Sequence, residues 1–123
     1  MVDVLVDVKI SLTFLNEYTL DMVVTEIYGS TETSGPVAAN MDGPACLPGS
    51  VGQKYSGSNN KIIDADEDGY GEIVSNGRFV FMGYQKDEIK TKEAFTSDGY
   101  FKSGDIGNVQ FYFYGNLVAR WCC

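Results

Sequence analysis

The sequence predicts an α+β fold weighted toward β-structure, on three observations. Apolar residues alternate with mostly polar ones at the start of the chain, short β-branched segments lie between turn residues through the middle, and only two stretches carry helical spacing. Val2, Val4, Val6, Val8, Ile10 and Leu12 occupy every second position, the period of a half-buried strand, although Leu5 breaks the polar face. Ser11 is placed to cap a short helix through Tyr18 that buries Leu12 and Leu15. Residues 22–27 are rich in β-branched side chains and read as a strand running into a turn over residues 28–36. From that turn to Asn60, recurring Gly, Pro, Ser and Asn divide the chain into short segments. Residues 61–64, 71–75 and 78–82 then read as short strands between turns, the habit of a small β-barrel or meander. Residues 87–95 combine charged side chains with Ile89 at helical spacing and lead to a turn at Ser97, Asp98 and Gly99. An aromatic-rich strand is expected over residues 109–118. With no internal repeat, linker or low-complexity tract, one compact unit over residues 1–123 is the simplest organisation.

With 44% apolar and 13% aromatic side chains, the chain has a globular composition and can bury a modest core. The 17 acidic against 9 basic residues leave a net charge of −8, which repels nucleic-acid phosphates and anionic lipid at long range. Nucleic acid is therefore not an expected partner, whereas a small nucleotide held by backbone N–H groups and a metal ion is allowed. Cys46 stands apart from the adjacent Cys122 and Cys123, so neither a disulfide framework nor a zinc spacing is present. The absence of His removes His-dependent triads and leaves carboxylates, hydroxyls, backbone groups and bound metal to carry any chemistry. No apolar run has membrane-spanning length and no secretory leader pattern is visible, which points to a soluble, intracellular, cytoplasmic protein.

Tyr28-Gly29-Ser30-Thr31-Glu32 places a flat aromatic face, a close-approach Gly, two hydroxyls and a carboxylate within five positions. Those groups suit stacking on a purine, bonding phosphate oxygens and holding Mg2+. Taken alone they more readily describe an exposed loop whose hydroxyls cap turns, so the surrounding segments decide.

The run through Thr33-Ser34-Gly35-Pro36 resembles the YGxTE motif of the adenylate-forming superfamily of acyl-CoA synthetases, luciferases and peptide synthetase adenylation domains. Further resemblances follow in the family's order. Pro48-Gly49-Ser50-Val51-Gly52 is similar to its PGSVG turn and Asp68-Gly69-Tyr70-Gly71-Glu72-Ile73 to its DGxGEI. Gly77-Arg78-Phe79-Val80-Phe81-Met82-Gly83-Tyr84 is similar to its GRxVFxGY strand, and Ser103-Gly104-Asp105 to its (T/S)GD motif. The resemblance runs from Ile10 to Gly107. Its forms at residues 33–36, 81–84 and 102–105 look most like the bubblegum branch of long-chain fatty acyl-CoA synthetases.

The resemblance implies part of the large N-terminal domain of such an enzyme, a strand and helix segment beside a small distorted β-barrel. It implies ATP-dependent activation of a fatty acid through acyl-AMP, followed by thioesterification to coenzyme A, with fatty acid, ATP and CoA as partners and Mg2+ as the metal. Carried over residue by residue, it implies that Tyr28 stacks on adenine and that Thr31 bonds the phosphate of ATP and then of acyl-AMP. Glu32 holds Mg2+, Asp105 takes the ribose hydroxyls, and Gly29 and Ser30 lie near the acyl carboxylate. A carboxylate accepting two neighbouring hydroxyls and a metal neutralising departing pyrophosphate agree with those roles.

The same family carries a Ser/Thr/Gly-rich phosphate loop ahead of the YGxTE motif, and a hinge and mobile domain with a catalytic Lys after the (T/S)GD motif. Residues 1–9 and 108–123 match neither. The chain is accordingly expected to be a partial AMP-binding domain, able to pack against missing parts of its enzyme and inactive alone in acyl-CoA formation. The resemblance is compatible with peripheral membrane association of the parent enzyme. The alternatives are a non-catalytic nucleotide-binding or interaction remnant, and a fragment of another adenylate-forming enzyme.

Two further segments imitate functional motifs. Asp64, Asp66, Asp68 and Gly69 copy the first, third, fifth and sixth positions of an EF-hand, but Ser75 stands at the twelfth and the flanks are strand-like. Residues 64–72 are expected as a solvent-exposed turn between strands. The aromatic run of Phe111, Tyr112, Phe113 and Tyr114 alternates along a strand, which suits a core or interface face rather than base stacking.

Overall fold

The computed structural model describes residues 25–40, 50–112 and 116–121. The expected strand over residues 2–12, the helix over 11–18, the beginning of the strand from residue 22, all three cysteines, Phe113 and Tyr114 lie outside them. Seven strands form one antiparallel sheet: β1 (Glu26–Ser30), β2 (Gly35–Asn40), β3 (Ser50–Lys54), β4 (Asn59–Ile63), β5 (Gly71–Asn76), β6 (Phe101–Tyr112) and β7 (Asn116–Trp121). Their order is β1-β2-β3-β7-β6-β5-β4. One helix, α1 (Glu88–Glu93), lies between β5 and β6 in sequence. No helix among the described residues is long and apolar enough to cross a membrane.

The sheet curls because two strands each carry one residue too many. Tyr28 pairs with Ala38 and Gly29 with Pro36, so Val37 has no partner on β1; Val51 is skipped in the same way between β3 and β7. Such bulges bend a strand and increase its twist. Both bulged valines turn inward, Val37 to 1% and Val51 to 9% exposure, and join Tyr28, Ala38 and Ile73 in the core, with Ile62 and Phe79 packed against them. Outside the ladder, the carbonyl of Val37 accepts from the Tyr55 N–H (3.0 Å) and from Asn60 Nδ2 of β4 (3.1 Å). The two ends of the sheet therefore face one another. No ladder joins β1 to β4 among the described residues, so the distorted barrel is an open one.

The β4 and β5 strands form around the β-branched pairs Ile62-Ile63 and Ile73-Val74, with Ile62 opposite Ile73 and no break in register. The turn between them is exposed from Asp64 to Asp68, as expected, but the exposed stretch stops short of residue 72: Gly69 and Tyr70 are half-buried and Gly71 and Glu72 already belong to β5. Asp87 caps α1, its side chain accepting from the Lys90 N–H at 2.9 Å, and the turn at residues 97–99 closes through Gly99 N–H to the Thr96 carbonyl at 3.0 Å.

Three expectations need correction. The segment over residues 28–36 is not one turn: Tyr28, Gly29 and Ser30 extend β1, Gly35 begins β2, and the turn is confined to residues 31–34. Residues 78–82 are not a strand. The Val80 N–H turns back to the Gly77 carbonyl (3.2 Å) and the Phe81 N–H goes to the carbonyl of Glu32 (2.7 Å), so this backbone is bonded to a turn rather than to a neighbouring ladder. Finally, residues 109–118 are two strands rather than one, because β6 and β7 pair antiparallel from Gly107 with Trp121 to Tyr112 with Asn116.

Candidate functional site

The β1–β2 hairpin presents the Tyr28 to Glu32 run. Thr33, buried at 4% exposure, shapes its turn through one hydroxyl. Thr33 Oγ1 accepts from the Ser30 N–H (2.8 Å) and lies 3.0 Å from the Ser30 carbonyl and 2.8 Å from that of Gly35. Ser34 takes a left-handed φ of 55°, and backbone bonds from Thr33 to Ser30 and from Ser34 to Thr31 close two overlapping turns. Gly29 is fixed by close approach: a Cβ there would stand 2.3 Å from the Gly35 carbonyl oxygen. With the inside of the turn occupied by Thr33, Ser30 and Thr31 face solvent and Glu32 is half-buried.

Glu32 is held from a distance. Its carbonyl receives the Phe81 N–H, and its Oε1 accepts from Tyr84 Oη at 3.0 Å. Tyr84 is anchored in turn: its N–H donates to Thr91 Oγ1 (2.8 Å), its ring meets that of Phe81 edge-on at 4.9 Å, and the Lys90 ammonium lies 4.3 Å above it. Phe81 packs further against Phe95 and Phe101, which ties the segment to the start of β6. Partial burial would raise the pKa of Glu32. Hydrogen bonds from its own N–H, Tyr84 and Ser30, with Lys90 nearby, outweigh that and hold it below the ordinary carboxylate value. The same bond pushes the Tyr84 hydroxyl up.

Asp105 stands on a wider excursion of β6. Val74 pairs with Lys102 and Glu72 with Ile106, so Ile73 alone faces Ser103, Gly104 and Asp105. Ser103 Oγ bonds the Ile73 carbonyl (2.7 Å) and accepts the Asp105 N–H (3.1 Å), while the Gly104 N–H, at φ +77°, donates to Glu72 Oε1 (3.0 Å). The excursion directs Asp105 across the sheet, where its Oδ2 accepts from Tyr28 Oη at 2.9 Å. Burial, opposed by Ser103 beside it and reinforced by the Asp105 carboxylate, pushes the Tyr28 hydroxyl far above its usual range and keeps it a donor.

The structure thus brings two of the sequence-derived site residues, Tyr28 and Asp105, into contact from 77 positions apart. Ser30, Thr31 and Glu32 follow directly on the hairpin. Tyr28 borders a cavity of about 20 Å³, shared with Ala38, Ile62 and Ile73, which has room for a single water molecule and not for a purine. A larger open cleft of about 420 Å³ lies beside Lys61, Asp68 and Asn108 and touches none of the sequence-derived site residues. Sequence reasoning missed Thr33 as the organiser of the turn and Tyr84 as the partner of Glu32. Tyr84 closes the GRFVFMGY run, so its signal was present but attached to a strand.

Residues 9–85 match the family of AMP-binding enzymes. The chain belongs to that family. Among AMP-binding relatives it is similar to the long-chain-fatty-acid–CoA ligase ACSBG2 of Gallus gallus, 43% identical over 88 residues, covering 72% of this chain and 11% of that protein. It is likewise similar to the long-chain-fatty-acid–CoA ligase heimdall of Drosophila melanogaster, 42% identical over 99 residues, covering 80% of this chain and 14% of that one. In three dimensions it resembles ATP-bound MatB from Rhodopseudomonas palustris with a TM-score of 0.66 and 31% identity, covering 78% of this chain and 20% of the other. The chain spans only about a ninth to a seventh of the two curated ligases, at 11% and 14% of their lengths. The AMP-binding match contains the hairpin and its Phe81–Tyr84 anchor, and the fold carries Asp105, beyond the end of that match, back to Tyr28.

Proposed function

We propose that this chain supplies the adenosine and α-phosphate contacts of an ATP-dependent long-chain fatty acid–CoA ligase. The observation that carries the reading is the 2.9 Å bond between Tyr28, inside the AMP-binding match, and Asp105, beyond its end, which supports reading the two as parts of one site. Asp105 accepts the ribose hydroxyls, since a carboxylate has lone pairs beyond the one used by Tyr28. Adenine is assigned to Tyr28 by the motif resemblance, its ring being buried beside a cavity with room for one water molecule. The exposed Thr31 hydroxyl bonds the α-phosphate of ATP and then the phosphate of acyl-AMP, while Gly29 and Ser30 border the fatty carboxylate.

The half-buried carboxylate of Glu32, next to the exposed hydroxyls of Ser30 and Thr31, is a hard-oxygen donor set that fits Mg2+, and Glu32 is the residue assigned to hold it. When bound, the ion neutralises charge on the departing pyrophosphate. Coenzyme A is the second-step acceptor and the fatty acid the acyl donor.

Calorimetric titration of AMP into the chain tests the ribose assignment. Asp105→Ala is expected to weaken binding about tenfold or more, the loss of hydrogen bonds to a charged group. Equal affinity in wild type and variant would overturn the assignment. In a ligase that carries this segment, Glu32→Gln is expected to slow pyrophosphate exchange far more than it weakens fatty-acid binding, because the carboxylate acts as pyrophosphate leaves.

A further inference from the structure

We propose that Tyr84 is the positioning residue for Glu32: from outside the β1–β2 hairpin it holds the carboxylate in the orientation that receives the metal ion. The inference rests on the reading of Glu32 as the metal ligand. Glu32 sits in a four-residue turn whose interior belongs to Thr33, so nothing within the turn itself orients its carboxylate beyond its own N–H and the Ser30 hydroxyl. Those two local bonds leave the far end of a long side chain to be ordered when a ligand arrives, and that ordering opposes binding. Two bonds from one remote segment remove much of that freedom in advance. The Phe81 N–H fixes the main chain of Glu32 at 2.7 Å, and Tyr84 Oη fixes the carboxylate at 3.0 Å.

The donor type matters as much as its place. A phenol O–H occupies one lone pair of Oε1 and leaves the carboxylate its charge, whereas Lys or Arg there would neutralise the group a cation must find. The cation that is nearby, Lys90, is directed over the face of the Tyr84 ring at 4.3 Å, and no ion pair between Lys90 and Glu32 occurs among the described residues. Helix α1 takes part through Thr91, whose Oγ1 accepts from the Tyr84 N–H and donates to the Asp87 carbonyl (2.7 Å). Each bond in this series restrains the next, and the series ends at the carboxylate.

The test uses Mn2+ as the probe for Mg2+, titrated into the full chain in the presence of ATP, with free Mn2+ read by electron paramagnetic resonance. Glu32→Gln is expected to abolish most ATP-dependent Mn2+ uptake. Tyr84→Phe, which keeps the ring and its packing, is expected to weaken uptake about three- to tenfold, the range for losing one hydrogen bond to a charged group. Its affinity for AMP measured without metal is expected to stay at the wild-type value, a split that a general loosening of the fold would not give. Thr91→Val, which leaves the hydroxyl of Tyr84 in place, serves as the second variant and is expected to weaken Mn2+ by a smaller factor. Tyr100→Phe, which removes a hydroxyl that accepts from the exposed Asn59 Nδ2 (2.6 Å), is the control and is expected to match wild type. Wild-type Mn2+ uptake in both Tyr84→Phe and Thr91→Val, with loss in Glu32→Gln, overturns the positioning role and leaves the functional reading standing. Unchanged uptake in Glu32→Gln, or none in wild type, overturns both.

Discussion

Two exposed turns of this molecule carry carboxylates among small residues, and they use them in opposite ways. In the turn between β4 and β5, Asp66 Oδ1 accepts from the Asp68 N–H (3.0 Å) and the Tyr70 N–H (2.8 Å), so the carboxylate is consumed in folding its own loop. In the turn between β1 and β2, the equivalent work is done by the buried hydroxyl of Thr33, and Glu32 is instead bonded by Tyr84, 52 positions away. A turn that closes itself with its acid has that acid occupied. A turn closed by another side chain leaves its acid to be oriented by donors around it, here its own N–H, Ser30 and the distant Tyr84.

The contrast can be broken most severely at the glycines. Gly29→Val drives a side chain into the Gly35 backbone, which cannot yield without parting β1 from β2, and is expected to cost more than about 3 kcal/mol in denaturant unfolding. In the other turn, a Cβ at Gly69 first meets the Asn108 side-chain amide at 3.1 Å, and Gly69→Ala is expected to cost only about 1 kcal/mol, mostly for its φ of +83°. Equal losses would mean that the two turns are held alike. Thr33→Val comes next: it removes a buried hydroxyl and strands the Ser30 N–H, for an expected loss of about 2–3 kcal/mol.

Asp66→Ala takes one shared acceptor from two exposed N–H groups that water can satisfy, so about 1 kcal/mol is expected, with no change in AMP affinity. Calorimetry that found micromolar calcium binding, lost in this variant, would contradict the assignment of that turn. The smallest effect sharpens the comparison at Glu32. Because its native pKa lies below the ordinary 4.5, its contribution to stability is complete above that value and is lost as pH falls through the lower native one. In Tyr84→Phe the native value is expected to move back toward 4.5, narrowing this window; an unchanged NMR titration of the Glu32 carboxyl would show that Tyr84 does not hold it.

How much of this was legible in the sequence follows from the range of the forces involved. β5, the helix within residues 87–95 and the turn at residues 97–99 depend on residues a few positions apart and stand where the sequence placed them, while β4, expected over residues 61–64, begins two residues earlier. The family motifs likewise named Tyr28, Thr31, Glu32 and Asp105 without geometry. Residues 78–82 misled because their β-branched and aromatic content suits a strand, while their backbone donors are claimed by Gly77 and Glu32. The division between β6 and β7 was hidden because the aromatic run from Phe111 leads on to Leu117 and Val118 with no strong turn signal beyond one Gly and one Asn, and only pairing reveals it. Tyr84 was invisible as a partner of Glu32 for the same reason: nothing local to either residue records the other.

The excursion at Ser103, Gly104 and Asp105 has an arithmetical property with practical weight. It exceeds its partner by two residues, and because side chains along a strand alternate with a period of two, the facing of β6 is the same after it as before. The protein can thus project an acidic group out of the sheet without inverting the remainder of the strand. Parity makes the segment exchangeable: lengthening or shortening it by two leaves residues 106–109 facing as they do, whereas a change of one would turn that run inside out.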